Sequence, residues 1–239
     1  MKNIFTITKK EFLETFFSPL AYVFLVVFVV LVYWFFFSDL FLLNQASLRG
    51  VFNWVPLIFL VFLPAITMGK WSEEKKSGTL EILLTLPVKD FEIVLGKFLS
   101  SFLFLLVALF LTTPLVGLVA LLGDLDGGAI WGGYLGLIFL GAASLAIGLF
   151  ISSLTESAII AFIISFLILF GLLLIGESVV LSFLPKLFAS FLSSLSLSQH
   201  FQSIARGVID SRDVLYYLSL AGYFLFLNVL SLESRKWKN

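Results

Sequence analysis

The feature that most constrains this chain is a series of six long stretches that contain no charged residue. Each stretch is at least 19 residues long and consists almost entirely of apolar side chains. An α-helix needs about 20 such residues to cross the hydrocarbon core of a bilayer. Transmembrane β-strands are shorter and alternate apolar with polar residues, whereas these stretches are apolar on every side. The sequence therefore predicts an all-α integral membrane protein.

Two parts of the chain are predicted, an amphipathic helix over residues 1–17 and a single six-helix transmembrane domain over residues 18–239. The six spans are expected at residues 19–38, 52–69, 98–122, 131–153, 157–176 and 214–232. Apolar and charged residues alternate with helical spacing in the first segment, which is typical of a helix that lies on a membrane surface. In the second span, Pro56 and Pro64 are expected to bend or break the helix.

Positive charge predicts the orientation of the spans. Of the 15 Lys and Arg residues, 11 fall in the N-terminus, the loop between the second and third spans, and the tail. Loops rich in Lys and Arg stay on the cytoplasmic side of a membrane. Both termini are therefore predicted to be cytoplasmic.

Several classes of function are disfavoured by the composition. The net charge is zero, so no overall positive field attracts nucleic acid. With no cysteine and the single His200, the chain offers no obvious catalytic or metal-binding cluster. It lacks a phosphate-binding GxxxxGK[ST] motif, and no predicted span has an ionisable residue near its centre. Enzymatic activity, ATP hydrolysis by this chain alone and ion-coupled transport are therefore not expected.

The segment 70–97 is the most charged stretch of the chain and the only sizeable one on the predicted cytoplasmic side. Gly78 can end one helix in the left-handed conformation, Thr79 can cap the next helix, and Pro87 can stop it. One face of this short helix is apolar, with leucines at Leu80, Leu83 and Leu84. We predict that the helix rests on the membrane domain and presents its ends to a soluble partner.

The residue order of this segment resembles the loop between the second and third spans of ABC-2 type transporter permeases. The residues that carry the resemblance are Glu73, Glu74, Lys75, Gly78, Thr79, Leu80, Glu81, Leu83, Leu84, Pro87 and Val88. In that family the loop forms a coupling helix that docks on a separate ATPase subunit, and the N-terminal helix is a connecting helix that also touches it. The resemblance therefore implies that the loop residues couple to an ATPase. It implies a connecting-helix role for Lys9, Lys10, Phe12 and Phe16.

A second motif precedes the sixth span and is similar to that of gliding-motility type bacterial ABC-2 permeases. Its residues are Phe201, Gly207, Val208, Ile209, Asp210, Arg212, Asp213, Val214, Tyr216 and Tyr217. The segment 177–213 that contains it also has an apolar stripe interrupted by Pro185, which predicts two short helices in the outer leaflet. These helices are expected to cover the bundle, and His200 is expected to be a hydrogen-bonding residue rather than a proton sensor.

A stripe of small residues recurs at multiples of four in the fourth span. Its members are Gly132, Gly136, Ser144, Gly148 and Ser152. Small residues let a second helix approach closely. Packing within one subunit is the expected role of this stripe, because the family resemblance places the contact between subunits mainly on the first and fifth spans.

The resemblance implies a permease subunit in a bacterial inner membrane that forms the translocation pathway as a dimer, with a second copy of the chain as the expected partner. The separate ATPase would bind ATP and Mg²⁺, and this chain would bind no cofactor. The 29 phenylalanines favour lipidic, amphipathic or polymer substrates without choosing among them. An extracytoplasmic accessory protein remains an open question. The alternative is a membrane anchor or assembly scaffold that recruits an ATPase without transporting a substrate.

Overall fold

The computed structural model describes residues 2–43, 47–85, 87–122, 126–182, 185–208 and 210–236, and these residues form helices and no strand. The helices are α1 Lys2–Phe17, α2 Pro19–Leu43, α3 Arg49–Thr67, α4 Gly69–Lys76, α5 Thr79–Thr85, α6 Asp90–Phe110, α7 Pro114–Leu122, α8 Gly127–Leu154, α9 Ala158–Leu174, α10 Ser178–Ser182, α11 Lys186–Ser194, α12 Leu197–Ala205 and α13 Ser211–Lys236.

Five helical segments in the described part of the chain are long and apolar enough to cross a membrane. They cover Pro19–Leu42, Arg49–Lys76, Asp90–Leu122, Gly127–Leu154 and Ser211–Ser234. The apolar helix α9 has 17 residues and is shorter than these five. The chain is therefore a multi-pass helical membrane protein.

The third apolar segment differs most from its prediction. Helix α6 begins at Asp90, eight residues before the predicted start, so Lys97 lies inside a helix rather than at the end of a loop. The segment is then interrupted between Phe110 and Pro114, because a proline has no backbone N–H to donate to the carbonyl oxygen four residues earlier. Helix α7 begins at Pro114, since proline is readily accommodated in the first turn of a helix. In contrast, α3 runs through Pro56 and Pro64 without ending.

Helix α8 is the central element of the fold. It packs against α3, α4, α6, α9, α12 and α13. Of its most apolar window, 72% is buried, compared with 28% in α2. Two ends of the bundle follow from its contacts: α4 lies against the C-terminal part of α8, and α12 lies against its N-terminal part. We call them the α5 end and the α12 end.

The small-residue stripe of α8 is used for packing within the subunit. A Cβ atom at Gly132 would collide with the carbonyl oxygen of Ile204 in α12, and one at Gly148 would collide with the side chain of Thr67 in α3. The Ser152 hydroxyl accepts a hydrogen bond from the backbone N–H of Trp71 in α4. The expectation that this stripe serves intrasubunit packing agrees with these contacts.

The segment between α9 and α13 contains three described helices rather than the two predicted. Pro185 immediately precedes α11 and so separates it from α10, as the sequence suggested. The third helix, α12, buries Phe201 and Ile204. In α11 the side chains of Phe188 and Phe191 are instead exposed.

Substituting Gly132 with alanine should destabilise the protein by about 1–3 kcal/mol, because the added methyl group meets the backbone of α12, which cannot yield as a flexible side chain can. The matched control is Gly117→Ala in α7, where an added Cβ meets nothing within 4 Å. The control should be neutral or slightly stabilising. Thermal unfolding of the two purified variants in one detergent checks this prediction, and equal midpoints would contradict the packing described here.

Candidate functional site

The junction between α4 and α5 depends on the conformation of Gly78. Its φ angle is 73°, in the left-handed region that favours glycine. The amide of Gly78 donates to the carbonyl oxygen of Lys75 at 3.1 Å, which closes the last turn of α4. The hydroxyl of Thr79 then donates to the carbonyl oxygen of Glu74 at 3.3 Å. The chain therefore turns within the two residues between α4 and α5, and α5 starts directly at Thr79.

Helix α5 has one buried and one exposed side. Leu80 is buried in an apolar cluster with Trp71, Ile93, Val94, Leu149 and Leu232, and Leu83 packs against the same cluster. On the other side, Glu81 is exposed and the Ile82 side chain is 66% exposed. Pro87, which follows the helix, is also exposed. Two leucines of the predicted apolar face, Leu80 and Leu83, therefore fix α5 to the bundle. The side chain of the third, Leu84, lies outside the described part of the structure.

A buried ion cluster lies beside this junction. The ammonium group of Lys97 in α6 contacts the Glu11 carboxylate of α1 at 2.8 Å and the Glu74 carboxylate of α4 at 2.6 Å. Lys70 of α4 contacts the second oxygen of Glu11 at 3.2 Å and donates to the Thr15 hydroxyl at 2.9 Å. Two ammonium groups and two carboxylates thus form a neutral cluster that joins three helices.

The charges of this cluster are largely buried and therefore need partners of opposite charge. The Lys97 side chain is 2% exposed and that of Glu11 is 8% exposed. An isolated charge at such a site would be costly, but opposite charges at hydrogen-bond distance compensate for the lost solvent. The indole ring of Trp71, whose centroid is 4.9 Å from the Lys97 nitrogen, adds a cation–π contact.

The pKa of Glu11 reflects the same balance. Burial tends to raise it, but the ammonium groups of Lys97 and Lys70 have the larger combined effect, and the pKa lies below its usual value. Because the folded-state pKa is lowered, the stabilisation by Glu11 is present at neutral pH and is lost as the pH falls through that pKa. Glu11 therefore contributes to the cluster as a carboxylate at neutral pH.

Further contacts fix α4 to the end of α8. The Ser152 hydroxyl accepts hydrogen bonds from the amides of Trp71 and Ser72 and donates to the Met68 carbonyl oxygen at 2.8 Å. The Lys75 ammonium donates to the carbonyl oxygen of Ser153. Helix α4 is therefore held on one side by α8 and on the other by the ion cluster.

The predicted loop residues divide into two groups. Glu73, Gly78, Thr79 and Glu81 are exposed at the surface of the α5 end. The side chains of Glu74, Lys75 and Leu80 point inward and hold the segment in place.

Helix α1 differs from a helix that simply lies on a surface. Lys9 and Lys10 are exposed, but α1 packs lengthwise on α6 and buries the polar residues Thr8 and Glu11. Charge pairing with Lys97 and Lys70 is the physical reason for this burial. The predicted aromatic pair contributes to the same packing. The rings of Phe12 and Phe16 are 4.8 Å apart, and Phe16 also packs against Phe104 of α6.

A cavity of about 600 Å³ opens next to the cluster, between α1, α2, α3, α4 and α6. Its polar part is lined by Glu14, Glu73 and Lys70, and its apolar part by Leu20 and Phe24.

The second predicted motif lies at the α12 end, far along α8 from the loop. Gly207 has a φ angle of 88° and passes close to the backbone of Gly128. Asp210 accepts a hydrogen bond from the amide of Arg212, whose side chain is exposed, and so stabilises the start of α13. Asp213 contacts His200 at 2.6 Å, so His200 does form hydrogen bonds, as predicted. The motif residues thus shape the turn between α12 and α13.

Sequence reasoning missed Glu11, Lys70 and Lys97 as members of one site. A signal was available in α1, where Ile4, Thr8, Glu11 and Thr15 recur with helical spacing and place an acidic residue in the middle of one face. The partner of that face lies 86 residues away and could not be identified from spacing.

Together, the fold and the site define a multi-pass helical membrane protein with a braced, partly exposed helix–turn–helix segment at one end. A family model described as ABC-2 family transporter protein matches residues 43–232. Since this range covers most of the chain, the protein belongs to the ABC-2 family of transporter proteins. A comparison with curated proteins found no match.

Replacing Lys97 with methionine should destabilise the protein by about 3–5 kcal/mol, because the Glu11 and Glu74 carboxylates lose the ammonium group between them. Adding Glu74→Gln to Lys97→Met should restore much of that stability, since the Lys70–Glu11 pair that remains is neutral again. Denaturant unfolding of the single and double variants measures both effects.

The exposed pair Arg49–Asp126 provides a matched control, with side chains that are 70% and 55% exposed. Replacing Arg49 with glutamine should cost less than about 1 kcal/mol. A Lys97→Met protein as stable as the wild type would show that the cluster does not hold the helices together.

Proposed function

We propose that this chain is the permease subunit of an ATP-driven transporter, in which two permease copies form the translocation pathway and a separate ATPase supplies the energy. Membership of the ABC-2 family supports this proposal most directly. The single structural observation that carries the coupling mechanism is the ion cluster, because it joins the proposed connecting helix α1 to the proposed coupling segment α4–α5.

The exposed side of the α4–α5 segment fits a docking role. Glu73 and Glu81 offer carboxylates to a cationic partner surface. Ile82, which follows Glu81 in α5, offers an exposed apolar contact beside them. Interfaces of this kind combine an apolar anchor with charged residues that guide association. Lys9 and Lys10 of α1 are exposed as well and would extend the contact with the ATPase.

In the proposed mechanism, closure of the ATPase subunits pushes on α5. The displacement of α5 is transmitted to the apolar cluster through Leu80. The displacement of α4 is transmitted to α6 through the contact between Glu74 and Lys97, and to α1 through Lys97. Helix α8, which holds α4 through Ser152, carries the movement towards the α12 end. Helices that are braced by packed contacts move as bodies, so a small displacement at α5 would tilt the attached spans.

In this proposal α9 is the fifth of six spans, and both termini and the α5 end are cytoplasmic in a bacterial inner membrane. A helix of 17 residues lies at the lower limit for crossing the hydrocarbon core. Dimerisation is assigned to α2 and α9, which leave many large apolar side chains uncovered within the monomer. They include Val23, Val26, Val27, Val30 and Trp34 of α2, and Ile159, Ile163, Leu167 and Phe170 of α9.

A smaller cavity of about 260 Å³ between α3, α9 and α12 is the proposed outer part of the pathway. Its lining combines polar Asn53 and Gln202 with apolar Pro56 and Phe170, which suits an amphipathic substrate. The assignment to the gliding-motility type rests on the α12–α13 motif alone.

Reversing the charge of Glu73 and Glu81 together, as Glu73→Lys and Glu81→Lys, should abolish co-purification of the ATPase with this chain. Glu74 is left unchanged because its carboxylate holds Lys97, so its loss would disturb the fold as well as the surface. Quantitative mass spectrometry of the affinity-purified complex measures the amount of ATPase retained.

The control is Glu177→Lys, which reverses an exposed glutamate at the α12 end. It should retain the ATPase, and all variants should keep the thermal stability of the wild type. Wild-type retention of the ATPase by the double variant would exclude this surface as the docking site.

A further inference from the structure

Both ring nitrogens of His200 in α12 face hydrogen-bond acceptors. Nδ1 lies 2.6 Å from a carboxylate oxygen of Asp213, and Nε2 lies 3.1 Å from the backbone carbonyl oxygen of Ser194. A neutral imidazole has one N–H donor and one lone pair. Beside an ionised carboxylate, a neutral ring can therefore satisfy only one of these two contacts.

The two contacts form together only when the His200–Asp213 pair holds one additional proton. That proton can sit on the imidazole, which then donates from both nitrogens. It can equally sit on the carboxyl group, which then donates to Nδ1 while Nε2–H donates to Ser194. The pair is neutral in both cases, which suits its surroundings because the Asp213 side chain is only 9% exposed.

Aromatic rings lie against the imidazole of His200. The ring of Tyr216 stacks on the imidazole with a centroid distance of 4.0 Å, and the ring of Tyr217 lies edge-on at 6.4 Å. An aromatic face attracts a cationic ring more strongly than a neutral one.

Other charged groups occur near both ends of α12. On the α9 side, Glu177 faces Ser198 at 3.5 Å. Asp210 accepts from the amide of Arg212 in the turn before α13, and Arg206 follows the end of α12. The side towards α8 is apolar, with Phe201 and Ile204 against glycines, and at the start of α3 Arg49 pairs with Asp126.

The contact from His200 reaches the last residue of α11, which two residues separate from the start of α12. Helix α11 ends at Ser194, and its Phe188 and Phe191 side chains are exposed rather than packed on the bundle. Directly after α11, the Tyr216 hydroxyl donates to the carbonyl oxygen of Leu195 at 2.6 Å. The end of α11 is thus held by a proton-dependent contact to His200 of α12, which in turn contacts Asp213 of α13, and by a proton-independent contact to Tyr216 of α13.

We propose that His200 and Asp213 form a proton-dependent latch that holds the end of α11 against α13. The latch is engaged when the pair holds its additional proton. Loss of that proton leaves a buried negative charge and a nitrogen lone pair facing the Ser194 carbonyl, so the end of α11 is released. This device is independent of the proposed ATPase docking, which lies at the other end of the bundle.

The sequence itself makes the test specific, because the chain has no cysteine and His200 is its single histidine. Spin labels on Ser190→Cys in α11 and Ser211→Cys in α13 occupy exposed positions. Distances between them are measured in lipid nanodiscs at about pH 5 and about pH 8, a range over which histidine changes its charge. We expect a narrow distance distribution at the lower pH and a broader, longer one at the higher pH.

Two substitutions should remove this response to pH. His200→Gln removes the titrating ring, and Asp213→Asn removes the carboxylate, so the second variant keeps the test valid if the first does not fold. Tyr216→Phe is the control, because it deletes the hydroxyl contact to Leu195 but leaves the proton-binding pair, and it should retain the response. Identical wild-type distributions at the two pH values, or an unchanged response in either His200→Gln or Asp213→Asn, would overturn the proposal.

Discussion

The ion cluster centred on Lys97 is the interaction on which the α5 end of this protein depends. A lysine that is 98% buried requires opposite charge at close range, and here α1 and α4 each provide one carboxylate. The requirement works in both directions, because Glu11 is acceptable inside the protein only while Lys97 of α6 and Lys70 of α4 lie beside it. Three segments that are distant in sequence are thereby held in one arrangement. Because α4 is one of them, the turn at Gly78 that follows α4 is held in place as well.

Helix α8 relates this cluster to the rest of the fold. Its small residues let α3 and α12 approach closely, and Ser152 and the Ser153 carbonyl hold α4. One helix therefore contacts the braced α4–α5 segment at one end and the α12–α13 turn at the other. The two ends are thus connected by a continuous, closely packed helix, as the proposed mechanism requires.

The sequence predicted those elements whose start and end depend on residues within or next to the element. The uncharged stretches indicated the apolar helices, and Gly78 and Pro87 delimited a short helix where α5 is observed. The extent of α6, the third helix before α13 and the burial of Glu11 were not predicted. These features depend on contacts between residues far apart in the chain, and a single sequence contains no information on which charges pair. Lys97 was predicted to be the last residue of a charged loop, because its partners Glu11 and Glu74 could not be identified from the sequence.

The central claim is that the ion cluster makes α1 and α4 move as one body during the transport cycle. The absence of native cysteines allows spin labels at two exposed positions, Lys9→Cys in α1 and Lys76→Cys in α4. The most direct measurement is the distance between these labels in the proposed complex with an ATPase, both without nucleotide and trapped with ATP and vanadate. The account predicts one narrow distance that is the same in both states and becomes broad when Glu11→Gln and Glu74→Gln are introduced. A distance that changes between the two states with the cluster intact would contradict it.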